Sequence, residues 1–183
     1  QGKLKDLTDE AAMNVLSNLK VDSATGPDLV PARILVECAS DLSKPFRMLA
    51  QRILDEGRWP AVWTVHWIVP LHKRGNVYDA SKYRGVHLTA QLSKAMERLL
   101  ATLFMPYLLT SCAFGGNQFA YTPARGARDA LANLTFRWIE ALSKGRKVAV
   151  YCSDVSGAFD RVKLDRLAAK LRAKNINPTI VDV

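Results

Sequence analysis

Apolar residues recur at helical spacing in several stretches of the chain. Thr8 is a favourable N-cap, because its hydroxyl can accept a hydrogen bond from an amide of the first turn. Apolar residues follow it at positions i, i+3, i+4 and i+7, which predicts a first helix. The same periodicity predicts a helix over residues 31–54, with an interruption near Pro45, and another from Thr89 to Pro106. It also predicts a helix over residues 127–142, which ends at Lys144-Gly145, and a last helix after Gly157.

Short apolar runs between these helices predict strands. Residues 65–71 predict a buried strand and residues 83–88 its return partner, because a basic turn lies between them. Residues 147–152 predict another apolar strand, which ends on Ser153 and Asp154. Helices and short strands alternate irregularly. The predicted fold class is therefore α+β, helix-rich with short antiparallel strands.

The charge of the chain is strongly positive and unevenly distributed. The net charge is +9 and the isoelectric point is near 9.7. Residues 1–43 hold four basic and seven acidic side chains, whereas residues 44–183 hold 22 basic and 10 acidic ones. Such a surplus favours polyanionic partners, chiefly nucleic acid or an anionic membrane surface. The alternative is a solvated basic surface that binds no ligand.

The cysteines and the chain ends suggest an intracellular fragment. The three cysteines are widely spaced and form no C-x-x-C pair, so neither a zinc site nor a disulfide framework is predicted. Cys152 lies in an apolar run and is expected to be buried. The sequence contains no signal peptide and no apolar run long enough to span a membrane, which favours the nucleus or cytoplasm over secretion. The chain lacks an initial Met and stops directly after a predicted helix, which indicates a fragment.

Asp154 is the principal candidate for catalysis. A carboxylate at the end of a buried strand is rigidly held, and this suits a Mg²⁺ ligand in phosphoryl or nucleotidyl transfer. Small residues follow it, and Phe159 offers a flat wall beside it. The alternative is an ordinary strand terminus. A further alternative is the strand-end nucleophile of haloacid-dehalogenase-like phosphatases, although their pattern has a second Asp where this chain has Ser156.

Two other segments carry candidate binding residues. A hairpin over residues 65–88 would bring Lys73, Arg74 and Arg84 close together and so form a cradle for a triphosphate. In residues 118–129, aromatic side chains alternate with arginines, which suits stacking and phosphate contacts with a nucleic-acid strand. The alternatives are separate solvent-exposed charges in the first segment and rings that cap the core in the second.

Five blocks together resemble the non-LTR retrotransposon type of reverse transcriptase, in that family's order. The resemblance covers residues 22–183. The blocks are ATGPD at 24–28 with Pro31 and Ala32, VPLHKRG at 69–75 with YRGVHL at 83–88, SKAMER at 93–98, QFAYTPARGARDAL at 118–131, and DVSGAFDRV at 154–162. The last of these is similar to the family's first palm motif, D-x-x-x-A-F-D-x-V.

Some residues depart from the family pattern. Gly85 stands where the family usually has Pro, and residues 120–122 replace the usual Gly-Phe-Arg, which removes one basic template contact. No adjacent Asp-Asp pair occurs in the sequence. The second catalytic palm motif and the thumb are therefore expected beyond Val183, and the chain on its own is expected to be inactive.

The resemblance implies an RNA-directed DNA polymerase that uses two Mg²⁺ ions. Residues 1–146 would form the fingers and their connection to the palm, and residues 147–183 the start of the palm. The partners would be an RNA template, a DNA primer and a dNTP. Two rival functions are a non-catalytic nucleic-acid-binding module and a phosphatase-like enzyme with Asp154 as nucleophile.

The resemblance also assigns roles to single residues. Asp154 would ligate both metals with help from the carbonyl of Val155, and Phe159 would exclude a ribose 2′-hydroxyl. Lys73 and Arg84 would bind the triphosphate. The residues that would contact nucleic acid are Arg74, Tyr121, Arg125 and Arg128.

Overall fold

The computed structural model describes residues 7–183 and shows an α+β chain that is rich in helix, as predicted. In chain order the elements are α1 (Asp9–Ser17), α2 (Ala32–Glu37), α3 (Ala39–Glu56), β1 (Trp67–His72), β2 (Tyr83–Leu88), α4 (Gln91–Ala101), α5 (Met105–Thr110), α6 (Ala127–Ser143), α7 (Leu164–Ala173) and α8 (Pro178–Val181). The chain divides into two compact units. The first contains the described residues up to Phe104 together with Leu171–Val183, and the second is Met105–Lys170.

The core of the first unit lies among α1, α3 and α4. Leu16, Met96 and Leu99 are fully buried there, and Phe46 and Ile53 lie beside them with at most 4% exposure. The predicted cap of α1 is present, since the amide of Ala11 donates to the Thr8 hydroxyl oxygen at 3.1 Å. The apolar faces predicted from periodicity are thus the faces that pack together.

The helix break predicted near Pro45 lies elsewhere. Residues 32–56 are interrupted at Cys38, between α2 and α3, whereas Pro45 lies inside α3. A proline removes the amide that would donate to the carbonyl four residues earlier, here that of Asp41. Both Pro45 and Asp41 are exposed, so water can hydrate the freed carbonyl, and this explains why the helix continues.

The predicted hairpin is formed, but its burial was predicted wrongly. β1 and β2 pair in antiparallel register, with Trp67 opposite Leu88 and His72 opposite Tyr83. All six residues of β1 are exposed. An isolated two-stranded sheet has two open faces, and no other described element shields β1 from solvent. The apolar pattern therefore identified the strand and not its surroundings.

A loop over residues 24–30 is fixed against the start of α4. The side-chain amide of Gln91, which is 2% exposed, donates to the carbonyl of Ala24. At Gly26, an added Cβ would lie 2.5 Å from the Ala90 nitrogen, so a side chain has no room there. Leu29 in the same loop has a φ of 57°, in the left-handed region. The first sequence block is thus a tightly fitted backbone segment.

The helices of the second unit bury little of their apolar surface. α6 has no buried residue over its 17 positions. Its start is capped, because the Gly126 amide donates to a carboxylate oxygen of Asp129 at 2.8 Å. Its exposed apolar side chains are Leu131, Leu134, Phe136, Ile139 and Leu142. The helix boundaries agree with the prediction, and Gly145 follows the helix with a φ of 69°.

The strand predicted for residues 147–152 is not formed. These residues have no regular structure, and Val150 and Tyr151 are 58% and 91% exposed. A strand exists through hydrogen bonds to a neighbour, and no segment of the described residues 7–183 pairs with this one. Cys152 is exposed rather than buried for the same reason. The helix predicted after Gly157 begins at Leu164.

Candidate functional site

The basic residues of the hairpin lie at its turn end. The Lys73 amide donates to the Lys82 carbonyl at 2.7 Å, and Arg84 lies opposite Leu71. Residues opposite each other or two apart on a strand share one face of the sheet. This register places Lys73, Lys82 and Arg84 on one face. Two residues of the predicted cradle, Lys73 and Arg84, thus share a face, whereas Arg74 lies in the bend that follows Lys73. The triphosphate role itself stays a prediction.

The turn that joins the two strands is ordered by contacts of its own. The Tyr83 hydroxyl donates to the Val77 carbonyl at 2.9 Å, and its ring centroid lies 5.1 Å from that of His72. Asp79 lies in the same turn. Hydrogen bonds from Ser81, from its side chain first and then from its backbone amide, hold the pKa of Asp79 below its ordinary value. One fixed negative charge thus lies among the basic side chains of this hairpin.

Lys82 is a basic residue of this face that the sequence analysis did not select. It precedes Tyr83 and is exposed, like Lys73, Arg74 and Arg84. The register of the hairpin would have identified it, because a pairing of residues 72 and 83 places residue 82 across from residue 73. The exposed face therefore carries three positive charges from the two strands and their ends.

In the second unit, Arg125 closes the loop over residues 116–125. Its guanidinium donates to the Gly116 carbonyl at 2.8 Å and lies 5.8 Å from the centroid of the Phe119 ring. A guanidinium has five N–H donors, so further donors remain for a phosphate. Tyr121 is 89% exposed, and Arg128 is exposed on the first turn of α6. The structure therefore gives Arg125 a role in loop geometry, which the sequence did not reveal.

Asp154 lies on an exposed irregular segment with the other residues of its block. One carboxylate oxygen accepts a hydrogen bond from the Val155 amide at 2.9 Å. Val155 and Phe159 are 61% and 84% exposed. Gly157 has a φ of 61°, which suits glycine, and lies between Asp154 and Asp160. The site residues of this block are thus near in sequence and open to solvent.

The described residues do not by themselves fit two Mg²⁺ ions. No group of three or more His, Cys, Asp or Glu side chains within residues 7–183 could hold a metal. Mg²⁺ requires several oxygen ligands in near-octahedral geometry, and one carboxylate with a single free oxygen supplies too few of them. Asp154 can therefore be at most one member of a larger ligand set.

Comparison with known proteins identifies related polymerases. The chain is 26% identical over 160 residues to the RNA-directed DNA polymerase from mobile element jockey of Drosophila melanogaster, with 87% of this chain covered. It is 23% identical over 170 residues to a probable RNA-directed DNA polymerase from transposon BS of the same species, with 92% covered. The jockey polymerase of Drosophila funebris is 26% identical over 157 residues, with 85% covered.

The predicted resemblance to non-LTR reverse transcriptases is confirmed. The alignments extend across both compact units, since each covers at least 85% of the chain. The chain spans 17% to 19% of the length of these RNA-directed DNA polymerases. No protein-family model matches it. Within residues 7–183, no helix has the length and apolar character that a membrane crossing requires.

Proposed function

We propose that this chain contributes part of the fingers and the first palm segment of an RNA-directed DNA polymerase. The observation that carries the proposal is the similarity over 87% of the chain to the jockey polymerase, in agreement with five ordered sequence blocks. The helix-rich α+β fold is compatible with it. An RNA template, a DNA primer and a dNTP would be the partners, in the nucleus or cytoplasm.

In this proposal Asp154 is one oxygen ligand of a magnesium site. Its second carboxylate oxygen and the Val155 carbonyl face no competing partner among the described hydrogen bonds. Further ligands must come from outside the described residues. Magnesium in such sites stabilises charge on the attacking and leaving oxygens of nucleotidyl transfer. Phe159, at 84% exposure, is accessible to a nucleotide sugar as the resemblance implies.

The basic hairpin would bind the triphosphate of the nucleotide. Lys73 and Arg84 share one exposed face of a short hairpin, and Lys82 adds a third charge. Cationic side chains around a triphosphate neutralise charge that develops in the transition state. Asp79 in the same turn lowers the net positive charge of the hairpin.

Primer extension tests the proposal. The polymerase polypeptide that contains this segment should extend a DNA primer on an RNA template in the presence of Mg²⁺ and dNTPs. Asp154→Asn should abolish extension, whereas Asp160→Asn, a matched change in the same block, should leave most of it. Phe159→Ala should raise incorporation of ribonucleotides. Unchanged extension by Asp154→Asn would refute the assignment.

A non-catalytic nucleic-acid-binding module is the second candidate. The surplus of basic over acidic side chains in residues 44–183 favours it. Retained binding of RNA without extension by the full polypeptide would support this reading. No observation favours the phosphatase alternative, since Asp154 does not lie at the end of a strand.

A further inference from the structure

The second unit contains a cavity beside α6, and only Phe119 and Ala130 of its lining belong to the 118–131 sequence block. Its volume is about 290 Å³. One wall is a face of α6, and the other is the loop that Arg125 closes. Its lining residues are Asn117, Phe119, Ala130, Asn133, Leu134 and Arg137.

Both walls are held in place by contacts already described. Residues 130, 133, 134 and 137 follow the i, i+3, i+4, i+7 spacing, so they lie on one stripe of α6. Residues 117 and 119 lie in the loop whose ends are joined by the bond from Arg125 to the Gly116 carbonyl. The bond from the Gly126 amide to Asp129 caps the start of α6, which directly follows that loop. The loop wall is therefore held by a bond of its own, and the helix wall by the capped start of α6.

The lining combines one aromatic ring with two carboxamides. Each carboxamide carries both donors and acceptors, and within residues 7–183 the side chains of Asn117 and Asn133 form no hydrogen bond. The edges of nucleobases likewise carry donors and acceptors, and their faces stack on aromatic rings. Small-molecule pockets begin at about 300 Å³, so this cavity suits a single heterocycle rather than a whole cofactor.

The positive charge around the cavity favours a ligand in which the heterocycle is attached to a negatively charged group. Arg137 lines the cavity, is exposed, and forms no ion pair within the described part of the chain. No acidic residue lines the cavity. The second unit as a whole holds ten basic and five acidic side chains. A base attached to a phosphate backbone matches this combination better than an uncharged ring does.

We propose that this cavity binds one unpaired base of a single-stranded nucleic acid. The base stacks on Phe119, Asn117 and Asn133 bond to its edge, and Arg137 contacts the adjoining phosphate. The proposal is about strand binding and requires no polymerisation, so it can fail or succeed separately from the proposed enzyme function.

The experiment titrates the 183-residue chain with short single-stranded oligonucleotides that carry one fluorescent purine analogue. Stacking on Phe119 should quench the analogue, and both RNA and DNA versions are tested. An oligonucleotide of equal length and charge, with an abasic site in place of the analogue and a label at its end, measures binding without the base. We expect the abasic strand to bind about tenfold more weakly, as loss of one base–aromatic stack predicts.

Variants connect the effect to the cavity. Phe119→Leu and Asn133→Leu should each weaken binding of the base-containing strand and leave binding of the abasic strand unchanged. Asn133→Leu keeps a good helix former on α6, so it tests the amide without disturbing the helix. Arg137→Ala should weaken binding more than Arg146→Ala, which removes the same charge from the same unit outside the cavity.

Equal affinity for the base-containing and abasic strands would overturn the proposal. So would wild-type binding by both Phe119→Leu and Asn133→Leu. Equal losses in Arg137→Ala and Arg146→Ala would show that only the overall charge of the unit matters, which also contradicts a defined site. Quenching by a free mononucleoside of equal affinity would show that the ligand is not a strand.

Discussion

Helices α4 and α6 both carry many apolar side chains, but those of α4 are largely buried and those of α6 are exposed to solvent. α4 buries six of its 11 residues, including Met96 and Leu99. α6 buries none of 17, and Phe136 on it is 73% exposed. The difference in burial does not come from helix formation itself, because both segments contain residues that favour helices and both helices have defined ends. It lies in whether another element covers the apolar stripe, which supplies most of a helix's stability in a protein.

The largest expected effect separates these two helices directly. Leu99→Ala on α4 removes a fully buried side chain and should lower the free energy of unfolding by about 2–5 kcal/mol. Leu131→Ala on α6, at a position 61% exposed, should change it by no more than about 0.5 kcal/mol. Urea unfolding followed by circular dichroism measures both. Equal losses would mean that α6 is covered in solution.

A second prediction compares glycines of the two units. Gly26→Ala places a Cβ 2.5 Å from the backbone nitrogen of Ala90, and backbone cannot move aside as a flexible side chain can. The variant should be destabilised by about 1–3 kcal/mol. Gly116→Ala is the control, because an added Cβ meets nothing within 4 Å there. Thermal unfolding of the two variants should differ clearly, and similar midpoints would contradict the fit of the 24–30 loop.

The same loop predicts a smaller effect at Gln91. Gln91→Met keeps the volume of the buried side chain but removes the hydrogen bond to the Ala24 carbonyl, at a cost of about 1 kcal/mol. Gln51→Met removes an exposed bond to Asp55 on the surface of α3 and should cost almost nothing. Chemical denaturation at matched protein concentration compares them. A neutral Gln91→Met would show that the loop is held by shape alone.

The smallest effect concerns the uncovered hairpin. The pKa of Asp79 is lowered in the folded chain, so its contribution is present above the unfolded pKa near 3.8 and is lost as the pH falls through the lower folded value. The Ser81 amide resonance should report this loss during an acid titration. Asp79→Asn should remove that pH dependence, and a titration midpoint above 3.8 would contradict the hydrogen-bonded turn.

Sequence reasoning succeeded where local rules decide. The bounds of β2, the Thr8 cap and the end of α6 shortly before Gly145 follow from turn chemistry and capping residues within a few positions. It failed where a distant partner decides. Residues 147–152 have the composition of a buried strand, but composition cannot supply the neighbour that a strand needs.

The candidate site shows the same division. The hairpin places Lys73 and Arg84 on one face because its register follows from the turn. The bond from Arg125 to Gly116 was not predictable, since no local rule links an arginine to a carbonyl nine residues earlier. Asn133 and Arg137 were overlooked for a related reason, because only the packed loop makes their stripe of α6 into a cavity wall.

The first unit is discontinuous along the chain, and this affects the order in which it can fold. α8 contacts α3, and Ile180 and Val183 pack against the core formed by residues before Phe104. During synthesis, residues up to Phe104 emerge well before residues 171–183, with Met105–Lys170 between them. Until residues 171–183 are synthesised, the surface of the core that they cover therefore stays exposed. Contacts across so long a separation are slow to form, so a chaperone could bind this patch in that interval.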